Sequence, residues 1–489
     1  MKKIFLLLFT AVLLHSCSGE KQKTIELQSE ADLAGLRVGV TTGGFHDIHL
    51  TPRTDIELHR FMTPSDDLQA LLTDKVDVML EDEIIFSAVI RKEQCLKIAL
   101  KEPFLFPTAL VFNKNNEELT QACNEVQKEM EQDGRMAQIK DLWINEKYTS
   151  IKSYPEVPPQ PQGKPLKVVT STSIAPLSFM VGNEWYGIEV DIARALGAKL
   201  NRPLEIKYID FSSAIIALNT GAADIMIGGI FVTDERKQMF LFADPYHEFT
   251  GAYYVIDKEA KHKNSGFLPW LKKSFERNLL VEKRWLFIVQ GLWETVKISI
   301  FAILFGSLLG IGLFLMMRSR RKWLVKIAAG YNWVVVGIPQ LVLLLILFYV
   351  FFSNSGLSPS IVAIIAFAMT FASSAADIYG TSLDAIPHGQ TEAGLALGFT
   401  RMQTFTNIVL PQAIRRGLPL FKGQCINLLK GTSIVGYIAI QDITRAGDII
   451  RSRTFDAFVP LLIVTILYFL LAWLLGKLIE LALPKNKVL

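Results

Sequence analysis

Residues 381–417 read TSLDAIPHGQTEAGLALGFTRMQTFTNIVLPQAIRRG and lie between two apolar stretches, Ile361 to about Ile378 and roughly Leu418 to Ile440. Within them Glu392-Ala393-Gly394 is followed by three residues and Gly398, then by nine residues, Ile408, one residue and Leu410-Pro411. Pro387 suits the first turn of a short helix, and Gly398 suits a left-handed cap that ends it. A second helix is predicted from about Arg401 to Pro411. Ala393, Gly394 and Ala396 carry little bulk, so another protein surface can approach closely. The plain alternative is a hairpin that merely joins two spans.

The sequence flanking this loop is built for lipid. The chain has 489 residues, 50% hydrophobic and 20% charged, with a mean hydropathy of +0.30, which a soluble chain rarely reaches. Apolar stretches run from Ile298 to Met317, Val334 to Phe352, Ile361 to about Ile378, roughly Leu418 to Ile440 and Phe458 to about Ile479. The first, second and fifth are strong spans by length. The third and fourth are richer in Ala, Ser and Gly, and Lys430 lies in the fourth. Such residues suit spans that pack on protein or line a pathway. The net charge of +4 is spread without basic blocks, which argues against a nucleic-acid binder.

The chain opens MKKIFLLLFTAVLLHSC. Two lysines precede an apolar run too short to span, as in a secretory signal peptide. Leu14-His15-Ser16-Cys17 resembles a bacterial lipobox, in which Cys17 is acylated; a plain cleavage site beside a chance cysteine is the alternative. Export of residues 18–284 places Arg318, Arg320, Arg321 and Lys322 inside after the first span, as the positive-inside rule wants. Five spans then put Lys485 and Lys487 inside as well. Cys95 and Cys123 would face an oxidising compartment, either paired or as two buried thiols.

The spacing in 381–417 resembles the EAA loop of ABC importer permeases, E-A-A-x3-G-x9-I-x-L-P, with Gly394 in place of the second Ala. GLWETVKIS (291–299) looks like the start of the first span in polar amino-acid permeases, and LLKGTSIVG (428–436) is similar to their Leu-Lys-Asp-Thr-Ser-Leu run. Val336 and Ile338 replace an Arg and a Thr of that family, and Gly431 an Asp. The resemblance covers 285–482. It implies an all-α permease of about five spans, working as a dimer. It also implies a separate ATPase subunit that docks on Glu392, Ala393, Gly394, Gly398, Ile408, Leu410 and Pro411. The sequence carries no G-x-x-x-x-G-K-[ST] of its own.

Between leader and permease, short β-like runs alternate with helical patterns, as in an α/β fold. Strands are predicted at 36–42, 76–81, 109–114, 167–172, 223–229 and 251–257. PEVPPQPQGKP (155–165) reads as an extended connector. ALLTDKVDVML (70–80) matches ALNTGAADIMI (217–227), a helix end, a turn and an Asp-bearing strand.

Residues 166–257 resemble the first lobe of amino-acid solute-binding proteins through APLSF (175–179), YGIEVDIARALGAKL (186–200) and GGIFVTDERKQMFLFADPYHEF (228–249). Residues 32–145 resemble the second lobe and the closing helices through DLAGLRVGVTTGG (32–44), LEDE (80–83) and DGRMAQIKDLW (133–143). The family's order is reversed, so the reading is a circular permutation, with crossings near Ala109–Asn113 and Tyr253–Asp257. A decayed tandem pair is the alternative. The domains are then a leader (1–17), a lobe-two-like part (30–148), a connector (149–165), a lobe-one-like part (166–258), a linker (259–284) and the permease (285–482). The fold class is an α/β two-lobed, type II periplasmic-binding-protein-like domain followed by an all-α transmembrane domain.

The resemblance implies that Arg236 pairs with a ligand carboxylate through its fork and that Asp82 accepts the ligand's ammonium, so that closure satisfies both. A surface ion pair of Arg236 with Glu235 or Asp234, and a solvated loop acid at Asp82, are the plain alternatives. The TTGGF loop, with Thr41, Thr42 and Phe45, opens a helix and can offer backbone N–H groups. Gly229, Phe231, Phe211, Ser171 and Ile174 complete the set. Ile174 stands where an aromatic is usual, Ser171 where an acid often is and Phe231 where Thr is common, so the pocket reads as apolar. Asp191 and Asp244 read as fold-stabilising. The sequence predicts no catalytic, metal or cofactor site. The function implied is the receptor and membrane subunit of an amino-acid ABC importer in a bacterial cytoplasmic membrane. A ligand-gated channel and a transmembrane sensor are the rivals.

Overall fold

The structure, a computed structural model, describes residues 25–90, 95–101, 105–145, 154–182, 184–257, 267–353 and 355–481. The leader with Cys17, residues 149–153 of the connector, residues 259–266 of the linker, and Lys485 and Lys487 lie outside them. The chain divides into two compact units: residues up to Leu105 together with those from Phe249, and Phe106–Glu248 together with everything from Phe267. The crossings thus fall at 105/106 and 248/249, ahead of both expected positions. The segment 30–148 is shared between the units, because the helices Glu117–Gln132 and Arg135–Trp143 pack on Ile188–Lys199.

In the first unit the sheet order is Glu57–Phe61, Arg37–Thr41, Val78–Asp82, Gly251–Ile256, Leu96–Lys101. The first three strands are parallel, and Gly251–Ile256 runs antiparallel between its neighbours. Every residue of Val78–Asp82 and of Gly251–Ile256 is buried, as central strands of a covered sheet require. Val38, Val40, Val78, Leu80, Tyr253 and Val255 fill the core.

The lobe of the second unit repeats this order as Leu204–Tyr208, Leu166–Thr170, Ile225–Ile227, Val111–Asn113, Phe240–Phe242, again with the fourth strand antiparallel. The sequence repeat has a structural cause. Asp77 accepts the backbone N–H of Arg37 at 3.0 Å, and Asp224 that of Lys167 at 2.9 Å. Each aspartate pins its own strand to the start of the next. Cys95 and Cys123 are buried free thiols. Asp191 accepts the Trp143 indole at 2.7 Å and Arg194 at 3.1 Å, a fold-stabilising role as expected.

Glu189, in GIEVD, is fully buried. Its carboxyl accepts the N–H groups of Gly228 and Gly229 at 2.8 and 3.0 Å and the Tyr246 hydroxyl at 3.1 Å. Burial pushes it up from an ordinary 4.5 to about 7, against the pull of those donors.

In the permease, Trp285–Met317, Pro359–Asp384 and Phe458–Leu481 are long and apolar enough to cross a membrane. The second expected span is bent by 105° between Lys322–Gly337 and Gln340–Phe351, because Pro339 at the joint has no N–H to continue the ladder. Among the described residues, then, three helices qualify, or four with the bent pair, where about five were expected. The fourth expected span falls on Leu410–Gly431 and the 3₁₀ segment Thr432–Ile438. Arg415, Arg416, Lys422, Gln424 and Asn427 make that helix too polar to qualify.

Pro359–Asp384 is the protein-packed span: 56% of its apolar window is buried, against 11% for Phe458–Leu481. Its small residues admit Trp285–Met317. A Cβ on Gly306 would stand 2.9 Å from the Ala368 carbonyl oxygen, and one on Gly310 2.8 Å from Ala375 Cβ.

Two outcomes are expected. Gly310→Leu overpacks this contact and lowers stability by about 1–3 kcal/mol, read as an earlier midpoint in detergent unfolding, whereas Gly312→Leu points into open space and leaves the midpoint unchanged. Because the folded pKa of Glu189 lies above its unfolded value, its contribution is complete below 4.5 and fades as pH rises through about 7. Relative to Glu189→Gln, the native chain loses about 3 kcal/mol over that window, which thermal melts at stepped pH measure.

Candidate functional site

In the first unit, Asp82 ends the strand Val78–Asp82. The helix Phe45–Leu50 follows the TTGG turn, with Gly44 as its N-cap. His46 on that helix reaches back so that Nε2 lies 2.9 Å from Asp82 Oδ1, with both side chains buried. Asp82 is therefore not a solvated loop acid, and an imidazole already stands against it. On the same sheet Thr41 donates its hydroxyl to Glu81, which burial, then the neighbouring Asp82, push up to about 7. Asp67 lies over Gly39, where a Cβ would stand 1.9 Å from Oδ1. Both its carboxyl oxygens are buried without a hydrogen-bond partner among the described residues, and burial raises its pKa well above the usual range.

The N–H groups of Thr42, Gly43 and Gly44 in the TTGGF loop are spent internally. Thr42 donates to the Phe61 carbonyl at 2.8 Å and Gly44 to that of Thr41 at 3.2 Å, while Gly43 donates to Asp47 Oδ2 at 2.9 Å. The expected offer of these donors to a ligand is not what the backbone presents. Thr42 is exposed and Phe45 half-buried, the Phe45 ring stacking on His49 at 6.0 Å.

In the second unit, Thr233 caps Asp234–Met239 by accepting from the Arg236 N–H at 3.2 Å. The Arg236 side chain turns inward. Nη1 donates to the Phe231 carbonyl at 3.1 Å, and the guanidinium lies 5.7 Å over the ring of Phe211, which opens the Asp210-capped helix Phe211–Asn219. Burial lowers the Arg236 pKa, opposed by Glu235. Asp234 pairs instead with Lys237. The buried Phe231 meets Phe106 edge-on at 5.6 Å. Arg236 is thus a cation on the aromatic floor of the Phe211 ring, with the Phe231 carbonyl on one nitrogen.

The other members stand differently. Ile174 is buried, bonded through its backbone to Ser178 at 2.9 Å. Gly229 holds a left-handed φ of 73° and gives its N–H to Glu189. Ser171 is half-buried beside Gly228. His46 and Glu189 are the residues that sequence reasoning passed over. The only signal was GIEVD itself for Glu189, while the His46 pairing spans 36 positions.

The elbow is His388–Ala396, a turn, and the helical run Arg401–Thr404, Phe405–Val409, Leu410–Gly431. Pro387 stands at the N-cap. Gly398 takes φ 85° and donates to the Leu395 carbonyl at 3.0 Å, so the left-handed cap is present. Thr400 and Gln403 form a capping box that starts the second helix. That helix does not stop at Pro411 but continues into the membrane domain.

Gly394 differs from its expected use. It is buried inside the elbow, where a Cβ would lie 2.6 Å from Thr404 Cγ2 and 3.0 Å from Ile408 Cδ1. Glu392, Ala393 and Pro411 are exposed and Leu410 half-buried. Closing Gly394 onto Thr404 turns Leu397 (76% exposed) and Met402 (71%) outward beside Leu395, Phe399 and Phe405. These exposed side chains make an apolar ridge on the outside of the elbow.

Residues 166–402 match the family described as bacterial extracellular solute-binding proteins, family 3. The chain is similar to the L-cystine transport system permease protein TcyB of Bacillus subtilis (strain 168), 30% identical over 211 residues, covering 43% of this chain and 87% of that protein. It is also similar to the octopine transport system permease protein OccM of Rhizobium meliloti, 32% identical over 178 residues, covering 34% and 73%. A crystal structure of an amino acid ABC transporter with histidines is 30% identical, covers 45% of this chain and 97% of that chain, and aligns with a TM-score of 0.38. With its solute-binding region and its helical membrane region in one polypeptide, the chain belongs to the permease family of amino-acid ABC transporters.

Proposed function

We propose that this chain is both receptor and membrane subunit of an importer that takes up an amino acid on ATP hydrolysed by a separate subunit, and that the ATPase grips the elbow 388–411. The observation that carries this reading is the elbow's construction. Gly394 seats on Thr404, an apolar ridge is left outside, and the second helix runs from Arg401 through a π-helical turn at Phe405–Val409 to Gly431. A displacement applied at the ridge is passed to the membrane domain along this helix. Relatives named as cystine and octopine permeases support an amino-acid-like cargo. In this reading the elbow faces the cytoplasm, a second permease copy completes the pathway, and Cys17 carries a lipid.

Arg236 receives the ligand carboxylate. A half-buried guanidinium over Phe211 strengthens a charge-assisted pair, and the aromatic floor favours an apolar side chain. The receptor is read as a circular permutation. Support comes from the family match beginning at Leu166, the first residue of a strand, and from the common order of the two sheets.

Co-purification tests the coupling. The ATPase subunit should follow the native chain and be lost, by tenfold or more, with Glu392→Lys or with Gly398→Pro, since proline cannot take φ 85°. Undiminished capture by both variants would overturn the reading. For the ligand, calorimetry of the full chain in detergent against the twenty amino acids should give one class of binder. Arg236→Ala should weaken it by about 10- to 100-fold, the worth of a hydrogen bond to a charged group.

A further inference from the structure

The helix Ile443–Thr454 carries two arginines that lie on aromatic faces of the receptor lobe within the same compact unit. The Arg445 guanidinium carbon stands 3.6 Å above the Tyr208 ring, and the Arg453 carbon 4.0 Å above Phe179. Tyr208 also brings its hydroxyl to 3.5 Å from Ser452 Oγ. Arg453 Nη2 donates to the Tyr154 hydroxyl at 3.1 Å and to Glu282 Oε1 at 3.2 Å. Glu282 in turn holds Arg284 at 2.7 Å. The three charged side chains of this network are 7–15% exposed. Beneath them Tyr208 packs with Phe287, Ala446, Ile449 and Ile450 in one apolar cluster, joined by Met180 and Trp185. Farther along, Tyr349 donates to the Ser213 carbonyl at 3.5 Å.

A face that docks and leaves must keep its charges wet and its apolar area modest, because both are exposed again at each release. This face does neither. Arg445 Nε and Nη2 are buried with no hydrogen-bond partner among the described residues, so the Tyr208 ring compensates that cation. Ala446 and Ile450 are fully buried. We infer that the lobe 106–248 is permanently seated on its own permease by Ile443–Thr454, and that the transport cycle runs without the lobe ever leaving this helix. The inference rests on the importer reading for its role in transport, whereas the seat itself is testable apart from it.

Glu184 and Gln290 line one cavity at the edge of the seat, one from the lobe and one from the first membrane helix. Spin labels on Glu184→Cys and Gln290→Cys in the full chain, reconstituted in lipid nanodiscs, report their separation; chains carrying only one of the two substitutions, and the native chain with its own buried cysteines, give the background. We expect one narrow distance, constant within about 2 Å, without ligand, with the twenty amino acids, and with the ATPase trapped by vanadate. A second, longer population in any state overturns the inference. Arg445→Gln should bring that population in, and a narrow peak in this variant would remove Arg445 from the seat. Bridging the two cysteines with a short bismaleimide should leave ATP-driven uptake within about twofold. Uptake lost on bridging counts against a permanent seat, whereas uptake absent from the unbridged chain counts against the importer reading and leaves the distances to decide the seat.

Discussion

Neither five-stranded sheet can be completed from one continuous stretch of chain, and the rest of the molecule is shaped by that constraint. Gly251–Ile256 lies buried between Val78–Asp82 and Leu96–Lys101, although more than a hundred residues separate it from them. Val111–Asn113 likewise lies between strands that come more than a hundred residues later. A central strand missing from either sheet would leave two rows of backbone groups without partners in a buried place, a cost no side chain can offset. The chain must therefore cross twice, at 105/106 and 248/249. Beyond the second crossing the sequence runs through one more strand and on to the first membrane helix. Joining receptor and permease in this order is compatible with the sheets because the last receptor strand is an interior one, fixed on both sides.

Charge inside the molecule obeys one rule in several places: a buried ionisable group is either matched or neutralised. Asp82 is matched by His46, Glu282 by Arg284 and Arg453. Glu81, Glu189 and Asp67 are instead driven by burial toward the protonated form. Arg236 is a half-buried cation of the receptor lobe, lying on the Phe211 ring with the Phe231 carbonyl on one nitrogen.

Much of this was legible in the residues, for identifiable reasons. All six predicted strands exist, because each is an apolar run preceded or followed by a turn. Glu57–Phe61, Leu96–Lys101 and Leu204–Tyr208, which were not predicted, are edge strands whose charged and half-exposed residues blur the pattern. The elbow was read from spacing, including the left-handed Gly398. The use of Gly394 was not, because only the fold brings Thr404 against it. Hydropathy found the second span but not its 105° bend, since a window average is blind to one proline. The TTGGF loop looked like a set of free donors because sequence does not show Asp47 and Phe61 arriving to take them.

The elbow and the seat lie close along the chain, and the path between them sets where motion can be absorbed. From Arg401 to Gly431 the backbone is helical, tightening at Thr432–Ile438 into a 3₁₀ turn. Ala439 then takes a left-handed φ of 63° before Asp442 caps the seat helix. A non-glycine residue in that region is strained, and 3₁₀ geometry holds its hydrogen bonds less well than an α-helix. Under the proposed coupling, a push on the elbow passes along a helix that holds a π-helical turn at Phe405–Val409 and Pro419. It then meets the 3₁₀ turn and the left-handed Ala439 ahead of the seat helix that carries Arg445 and Arg453.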